Sequence, residues 1–142
     1  MEKLIVIGAG QAAIQCITSL RKEGYSGSIT LVGEENHLPY QRPPLSKGFL
    51  SGSTIQDRLY LKKIEFFQEN SIQLNLGVKA TRIDRNKCIV HLSDKKSIGY
   101  DKLVIATGSK VRKLKFPGSV LEGVHYLRDI DDAELLLSLI HI

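Results

Sequence analysis

The stretch that decides the fold is Leu4-Ile5-Val6-Ile7-Gly8-Ala9-Gly10-Gln11-Ala12-Ala13. Leu4 to Ile7 is apolar at every position, as a strand covered on both faces of a parallel sheet should be. The glycines break the strand. Ala13, Ile17 and Leu20 then recur at helical spacing, until Arg21-Lys22-Glu23 and Gly24 end the helix. Ser28-Ile29-Thr30-Leu31-Val32 reads as a second strand, closed by Gly33. This start predicts a β-α-β unit of about 30 residues. Lys3 and the apolar residues after it superficially suggest a secretion signal, but an apolar run that stops at Gly8 is too short for one.

A Gly-x-Gly-x-x-Ala string carries little weight alone. Placed between a buried strand and a helix inside a β-α-β unit, it has the context of a dinucleotide-binding fingerprint. Gly8 permits the tight turn, Gly10 lets the backbone approach a pyrophosphate, and Ala13 keeps the helix close to the sheet. The helix that opens at Gln11 and Ala12 offers free N–H groups and a partial positive charge to phosphate. Glu34, just past the second strand, suits the ribose hydroxyls of an adenosine and disfavours a 2′-phosphate. NAD and FAD both satisfy these constraints.

Residues 34–58 form a long polar excursion rich in Pro and Gly, and ordered loops of this length are usually functional. Within it, Leu38-Pro39-Tyr40-Gln41-Arg42-Pro43-Pro44-Leu45-Ser46-Lys47 predicts a stiff, extended polyproline strut. Such a strut can aim Arg42 and Lys47, and the planar fork of Arg42 matches a pyrophosphate. A solvated linker has the same composition.

Lys62 to Asn70 predicts a short helix with Ile64 and Phe67 on one side, and Ser71 to Leu74 a third strand. Val78–Asp84, Lys87–Leu92 and Ser97–Tyr100 then predict an antiparallel meander, with turns at Arg85-Asn86 and Ser93-Asp94-Lys95-Lys96. Lys102 to Ala106 predicts another buried strand, ending at Thr107-Gly108. Ala106 and Gly108 leave room for a ligand at the carboxyl end of the sheet. A basic loop, Lys110 to Lys115, leads to Pro117-Gly118. Asp129 reads as an N-cap for a last helix, with Ile130, Ala133, Leu137 and Ile140 on one face. The apolar run at Ile142 has no C-cap, and together with the four strands it predicts an incomplete domain.

The 142 residues are 42% hydrophobic and 25% charged, with a formal charge of +5. These proportions are globular and exclude a disordered or fibrous chain. The mild positive charge permits an acidic partner without requiring one. Cys16 and Cys88, each beside apolar residues, cannot build a disulfide framework, which favours a reducing, cytoplasmic setting. His37, His91, His125 and His141 show no metal-ligand spacing. No apolar run approaches the ~18 residues of a membrane span.

Taken together, Gly8 to Ala13, Leu38 to Lys47 and Tyr100 to Gly108 resemble the FAD-dependent pyridine nucleotide–disulfide oxidoreductase superfamily, and within it the ferredoxin/rubredoxin reductase branch. Gly33-Glu34-Glu35-Asn36-His37-Leu38-Pro39-Tyr40-Gln41-Arg42-Pro43-Pro44-Leu45-Ser46-Lys47 is the most specific part, supported by Tyr126-Leu127-Arg128 and Asp131-Asp132-Ala133. The resemblance implies a Rossmann-like FAD-binding domain, a parallel sheet with an antiparallel β-meander crossover, incomplete at its C-terminus. It implies that the first fingerprint holds FAD. By the same resemblance, FAD contacts fall on Ala12, Glu34, Arg42, Lys47, Ala80 beside the adenine, Thr107 and Gly108 near the pyrophosphate, and Arg128. Lys47 is expected near the reacting edge of the flavin, beside a carboxylate from a later segment.

Disulfide reductases of the superfamily carry a Cys-x4-Cys pair after the loop. Here the region reads Leu45-Ser46-Lys47-Gly48-Phe49-Leu50, without a dithiol relay. The resemblance therefore implies direct transfer from flavin to a ferredoxin-, rubredoxin- or Rieske-type carrier. NAD(P)H would act as co-substrate at a site outside this chain. The NAD(P)H-binding and C-terminal domains of the family are absent from these residues. The piece alone is expected to lack activity and to expose apolar surface.

Two other readings are open. One is a non-enzymatic flavin-binding protein of the apoptosis-inducing-factor type with a basic interaction surface. The other is a bare NAD-binding domain, which the Pro-Pro-Leu-Ser-Lys run disfavours. Nucleic acid is not an expected partner, because the basic loop lacks interleaved aromatic residues.

Overall fold

A computed structural model describes residues 1–140. The chain divides into two compact units, Met1–Tyr40 with Tyr60–Gly108, and Gln41–Leu59 with the residues from Ser109 onward. In the first unit the elements are β1 (Lys3–Ile7), α1 (Gln11–Lys22), β2 (Ser28–Val32), α2 (Ile64–Glu69), β3 (Ile72–Asn75), β4 (Ala80–Asp84), β5 (Ile89–Leu92), β6 (Ser97–Gly99) and β7 (Lys102–Ile105). The second unit contains two short 3-10 turns, Pro43–Ser46 and Gln56–Arg58, and α3 (Ile130–Ile140).

Four parallel strands form one sheet in the order β3-β2-β1-β7, and β4-β5-β6 form a separate antiparallel meander. This is the Rossmann-like arrangement that the sequence predicts. Successive side chains of a strand face opposite sides of a sheet. Leu4 and Val6 of β1, with Ile29 and Leu31 of β2, therefore pack against Ala13, Ile14 and Ile17 of α1 and Phe67 of α2. Ile5, Ile7 and Val32 face the other way and meet Val90 and Leu92 of the meander. Each face of the sheet thus has its own core, which is why β1 carries no polar residue from Leu4 to Ile7.

Several expectations need correction. β7 is less buried than its composition suggests. Among the described residues it pairs only with β1, and Ile105 is 63% exposed, because an edge strand lacks a neighbour on one side. Ile64 is exposed whereas Phe67 is buried, since α2 begins only at Ile64 and the core lies one turn later. The Pro43-Pro44 strut is not extended: both prolines start a 3-10 turn, in which the Leu45 N–H donates to the Arg42 carbonyl at 3.0 Å. A proline's fixed φ suits a first helical turn, where its missing N–H costs nothing.

In the second unit, α3 opens on a reciprocal cap. The Asp132 N–H donates to Asp129 Oδ1 at 2.9 Å, and Asp132 Oδ2 accepts the Arg128 N–H at 2.8 Å. Ile130 and Ala133 are fully buried and Leu137 is half-buried, as the helical spacing requires. The expected place of the Ile140 side chain and the apolar run to Ile142 lie outside the described residues. Leu114, Phe116, Val120 and Leu121 are exposed, in keeping with the predicted apolar surface.

Candidate functional site

The turn after β1 is built by close backbone packing. Gly8 adopts φ +108, and a Cβ there would lie 2.1 Å from the Ala106 carbonyl oxygen and 2.9 Å from Thr107 Cα. Its N–H donates to Val32 at 2.8 Å, while the Ala106 N–H donates to Ile7 at 2.7 Å. The carboxyl ends of β1, β2 and β7 are thereby drawn together. Gly33 is similarly confined, since a Cβ on it would lie 2.8 Å from Ala9 Cβ.

Gly10 differs from both. It has φ −100, which any residue adopts, and a Cβ there would meet no atom within 4 Å. Neither its conformation nor its protein neighbours call for glycine. α1 begins at this residue with no side-chain cap and no acidic residue in its first turn. Gln11 and Ala12 are exposed, while Ala13 is buried against the sheet. The open space at Gly10 and the uncapped helix start fit a phosphate group, which would supply the acceptors that the protein leaves out.

Glu34 follows β2, and its Oε1 accepts from Lys79 Nζ at 2.8 Å. Lys79, the partner of Glu34, is a residue that the sequence reading did not single out. It lies 45 positions away and comes beside Glu34 through the return of the chain into the meander. A backbone bond from the Val78 N–H to Gly33, 2.9 Å, ties the two segments together. Ala80, next in the chain, opens β4 and packs on the meander core. Thr107 and Gly108 are exposed just past β7, with Gly108 at φ +68, and Ala106 is half-buried. The first unit therefore gathers Gly8, Gly10, Glu34, Ala80 and the Ala106–Gly108 run around adjoining strand ends.

Within the second unit, the Arg42 guanidinium donates to the Arg128 carbonyl at 2.9 Å. The Arg128 guanidinium donates to the Ser109 carbonyl at 2.8 Å. Both arginines line a cleft of about 300 Å³ with Pro43, Leu45, Ser46 and Leu127. Lys47 is exposed and does not line that cleft. Arg42 and Lys47 flank the Pro43–Ser46 turn, and Arg42 is held to the backbone of Arg128. Among the described residues, no cluster of three His, Cys, Asp or Glu side chains is placed to hold a metal.

The sequence profile of the pyridine nucleotide-disulphide oxidoreductase family matches residues 2–140. The chain belongs to that family. Rhodocoxin reductase from Rhodococcus erythropolis is 46% identical over 135 residues, covering 95% of this chain and 32% of that protein. The ferredoxin–NAD(+) reductase subunit of the benzene 1,2-dioxygenase system from Pseudomonas putida is 45% identical over 131 residues, covering 92% of this chain and 32% of that one. Among solved structures, the ferredoxin reductase of the CYP199A2 system from Rhodopseudomonas palustris superposes with a TM-score of 0.90 at 38% identity. The match covers 97% of this chain and 34% of that one. The chain spans about a third of the length of the curated relatives it matches. These family members are named reductases, and they lend no support to the non-enzymatic alternative. No helix among the described residues is long and apolar enough to cross a membrane.

Proposed function

We propose that the full-length protein is an FAD-dependent NAD(P)H oxidoreductase that passes electrons to a ferredoxin-, rubredoxin- or Rieske-type carrier. In this reading residues 1–142 are the N-terminal part of its FAD-binding domain, and NAD(P)H binds outside them. The observation that carries the reading is Gly10. It is a glycine with no conformational or packing need to be one, set at an uncapped helix start in a chain of this family.

The residues divide the work of holding FAD. Backbone N–H groups from Gly10 to Ala13, including Gln11 and Ala12, receive the pyrophosphate. Gly8 keeps the turn tight against Ala106, and Thr107 and Gly108 border the same phosphates. Glu34 accepts hydrogen bonds from the ribose hydroxyls, and Ala80 gives the adenine an apolar neighbour. By the family resemblance, Arg42 and Arg128 would supply positive charge to the cofactor, and Lys47 would be its catalytic cation. Once bound, FAD supplies the ability to take two electrons as a hydride and release them singly. Cys16 and Cys88 are free and far apart in sequence, which supports direct transfer to the carrier without a dithiol relay. They also support a reducing cytoplasmic location.

The test is to produce the protein from its complete natural gene. The purified product should show a flavin absorbance spectrum and reduce a ferredoxin or rubredoxin when NADH or NADPH is added. A product without flavin would return the reading to a bare NAD-binding domain. Flavin without nicotinamide-driven carrier reduction would favour the non-enzymatic alternative.

A further inference from the structure

Glu34 is the one acidic side chain assigned to the nucleotide, and the structure does not leave it on its own. Lys79 Nζ lies 2.8 Å from its Oε1. Both segments are fixed by backbone contacts. The Val78 N–H is bonded to Gly33, the Lys79 N–H to Ser93 Oγ at 3.0 Å, and the Ser93 N–H to the Lys79 carbonyl at 2.8 Å. The cation therefore comes from a rigid strand start, not from a free loop. Both side chains remain partly exposed, 44% for Lys79 and 61% for Glu34.

We propose that Lys79 is a positioning residue for the nucleotide ribose: it holds one carboxylate oxygen of Glu34 so that the other faces the ribose hydroxyls. This rests on the assignment of Glu34 to the ribose. Two consequences follow from the charges. With Glu34 present, the pair is neutral and the carboxylate repels a 2′-phosphate. With Glu34 neutralised, that repulsion is gone while the positive charge of Lys79 stays nearby, which favours the same phosphate.

The experiment uses full-length apoprotein, freed of flavin and titrated with FAD, for wild type, K79Q, K79R, E34Q and the E34Q/K79Q double variant. ADP and 2′-phospho-ADP serve as competitors. An exposed ion pair is worth up to about 1 kcal/mol, so K79Q should weaken FAD binding by about threefold to fivefold. K79R should restore most of that. In the double variant K79Q should add nothing to the loss caused by E34Q. E34Q should shift competition toward 2′-phospho-ADP, and the double variant should lose that shift. A residue that only supported the fold would lower the melting temperature without changing the ratio between the two competitors. If the K79Q and E34Q effects multiply, or the competitor ratio ignores Lys79, the positioning role is overturned while FAD binding stands. If wild-type apoprotein binds no FAD, the ribose assignment falls and the role of Lys79 falls with it.

Discussion

Gly8 and Ala106 touch across two strand ends that stand almost 100 residues apart in the chain: a Cβ on Gly8 would lie 2.1 Å from the Ala106 carbonyl oxygen. That contact joins the fingerprint turn after β1 to the small-residue run after β7. Backbone cannot withdraw as a flexible side chain can, so the position accepts only glycine. The positive φ imposes the same choice independently.

Gly8 and Gly10 should therefore fail in different ways. Gly8→Ala combines a steric overlap with an unfavourable φ, and should cost more than about 3 kcal/mol, in the range of severe backbone defects. Gly10→Ala meets open space, and should cost less than about 1 kcal/mol as an N-cap change. It should nevertheless lose bound flavin. Thermal melting of the apoprotein, alongside flavin content, separates the two. A Gly10→Ala protein that keeps full flavin would contradict the phosphate assignment.

Arg21 is a second point of convergence. Its guanidinium donates to the carbonyls of Asn70 at 3.0 Å, Tyr25 at 2.5 Å and Gly27 at 2.9 Å. It thereby binds the end of α1 to the chain entering β2 and the chain entering β3. Arg21→Met keeps much of the apolar stem and removes the donors. It should lower stability by about 2–3 kcal/mol, since half-buried carbonyls lose charged partners. Chemical denaturation measures it, and a loss below 0.5 kcal/mol on this scale would deny Arg21 that role.

The turn between β4 and β5 sets a pH dependence. Asp84 accepts backbone N–H bonds from Lys87 at 3.0 Å and Asn86 at 3.1 Å. The Lys87 bond chiefly lowers its pKa below the ordinary 3.8, with smaller help from the Asn86 bond and from nearby Lys87 and Arg82 charges. The folded state then holds fewer protons than the unfolded state between those two values. The stabilisation is complete above pH 3.8 and disappears as pH falls through the lower folded value. Asp94, lowered chiefly by the Lys96 backbone N–H, acts in the same direction. In acid titrations followed by melting, Asp84→Asn should flatten this dependence. An unchanged slope would exclude Asp84 as a contributor.

Lys110, Arg112, Lys113 and Lys115 are all exposed, and no acidic residue interrupts the chain from Ser109 to Leu121. Under the proposed function, this loop can attract an acidic carrier. Reversing two of the charges should raise the apparent KM for the carrier by about tenfold at low salt, with a weaker salt dependence. NADH oxidation by a small artificial acceptor should stay constant. If both rates stay as in the wild type, the loop is only a solvated surface.

The sequence by itself determined the strand-glycine-helix start, the parallel sheet, the meander and the Asp129 cap. Each rests on local rules: apolar runs, helical spacing, turn residues and short polar side chains that bond neighbouring N–H groups. Those rules hold within a few residues. They do not say which glycine is required by packing, and only the tertiary structure separated Gly8, pressed against Ala106, from Gly10, which faces open space. Nor do they reach the partner of Glu34, because Lys79 arrives through strand pairing 45 positions later. The Pro43-Pro44 turn went the same way. Proline restricts φ to values that serve both an extended strut and a first helical turn, and the bond from Leu45 to Arg42 selects the second. What sequence leaves open, here, is where the chain meets itself again, because that depends on contacts between segments distant along it.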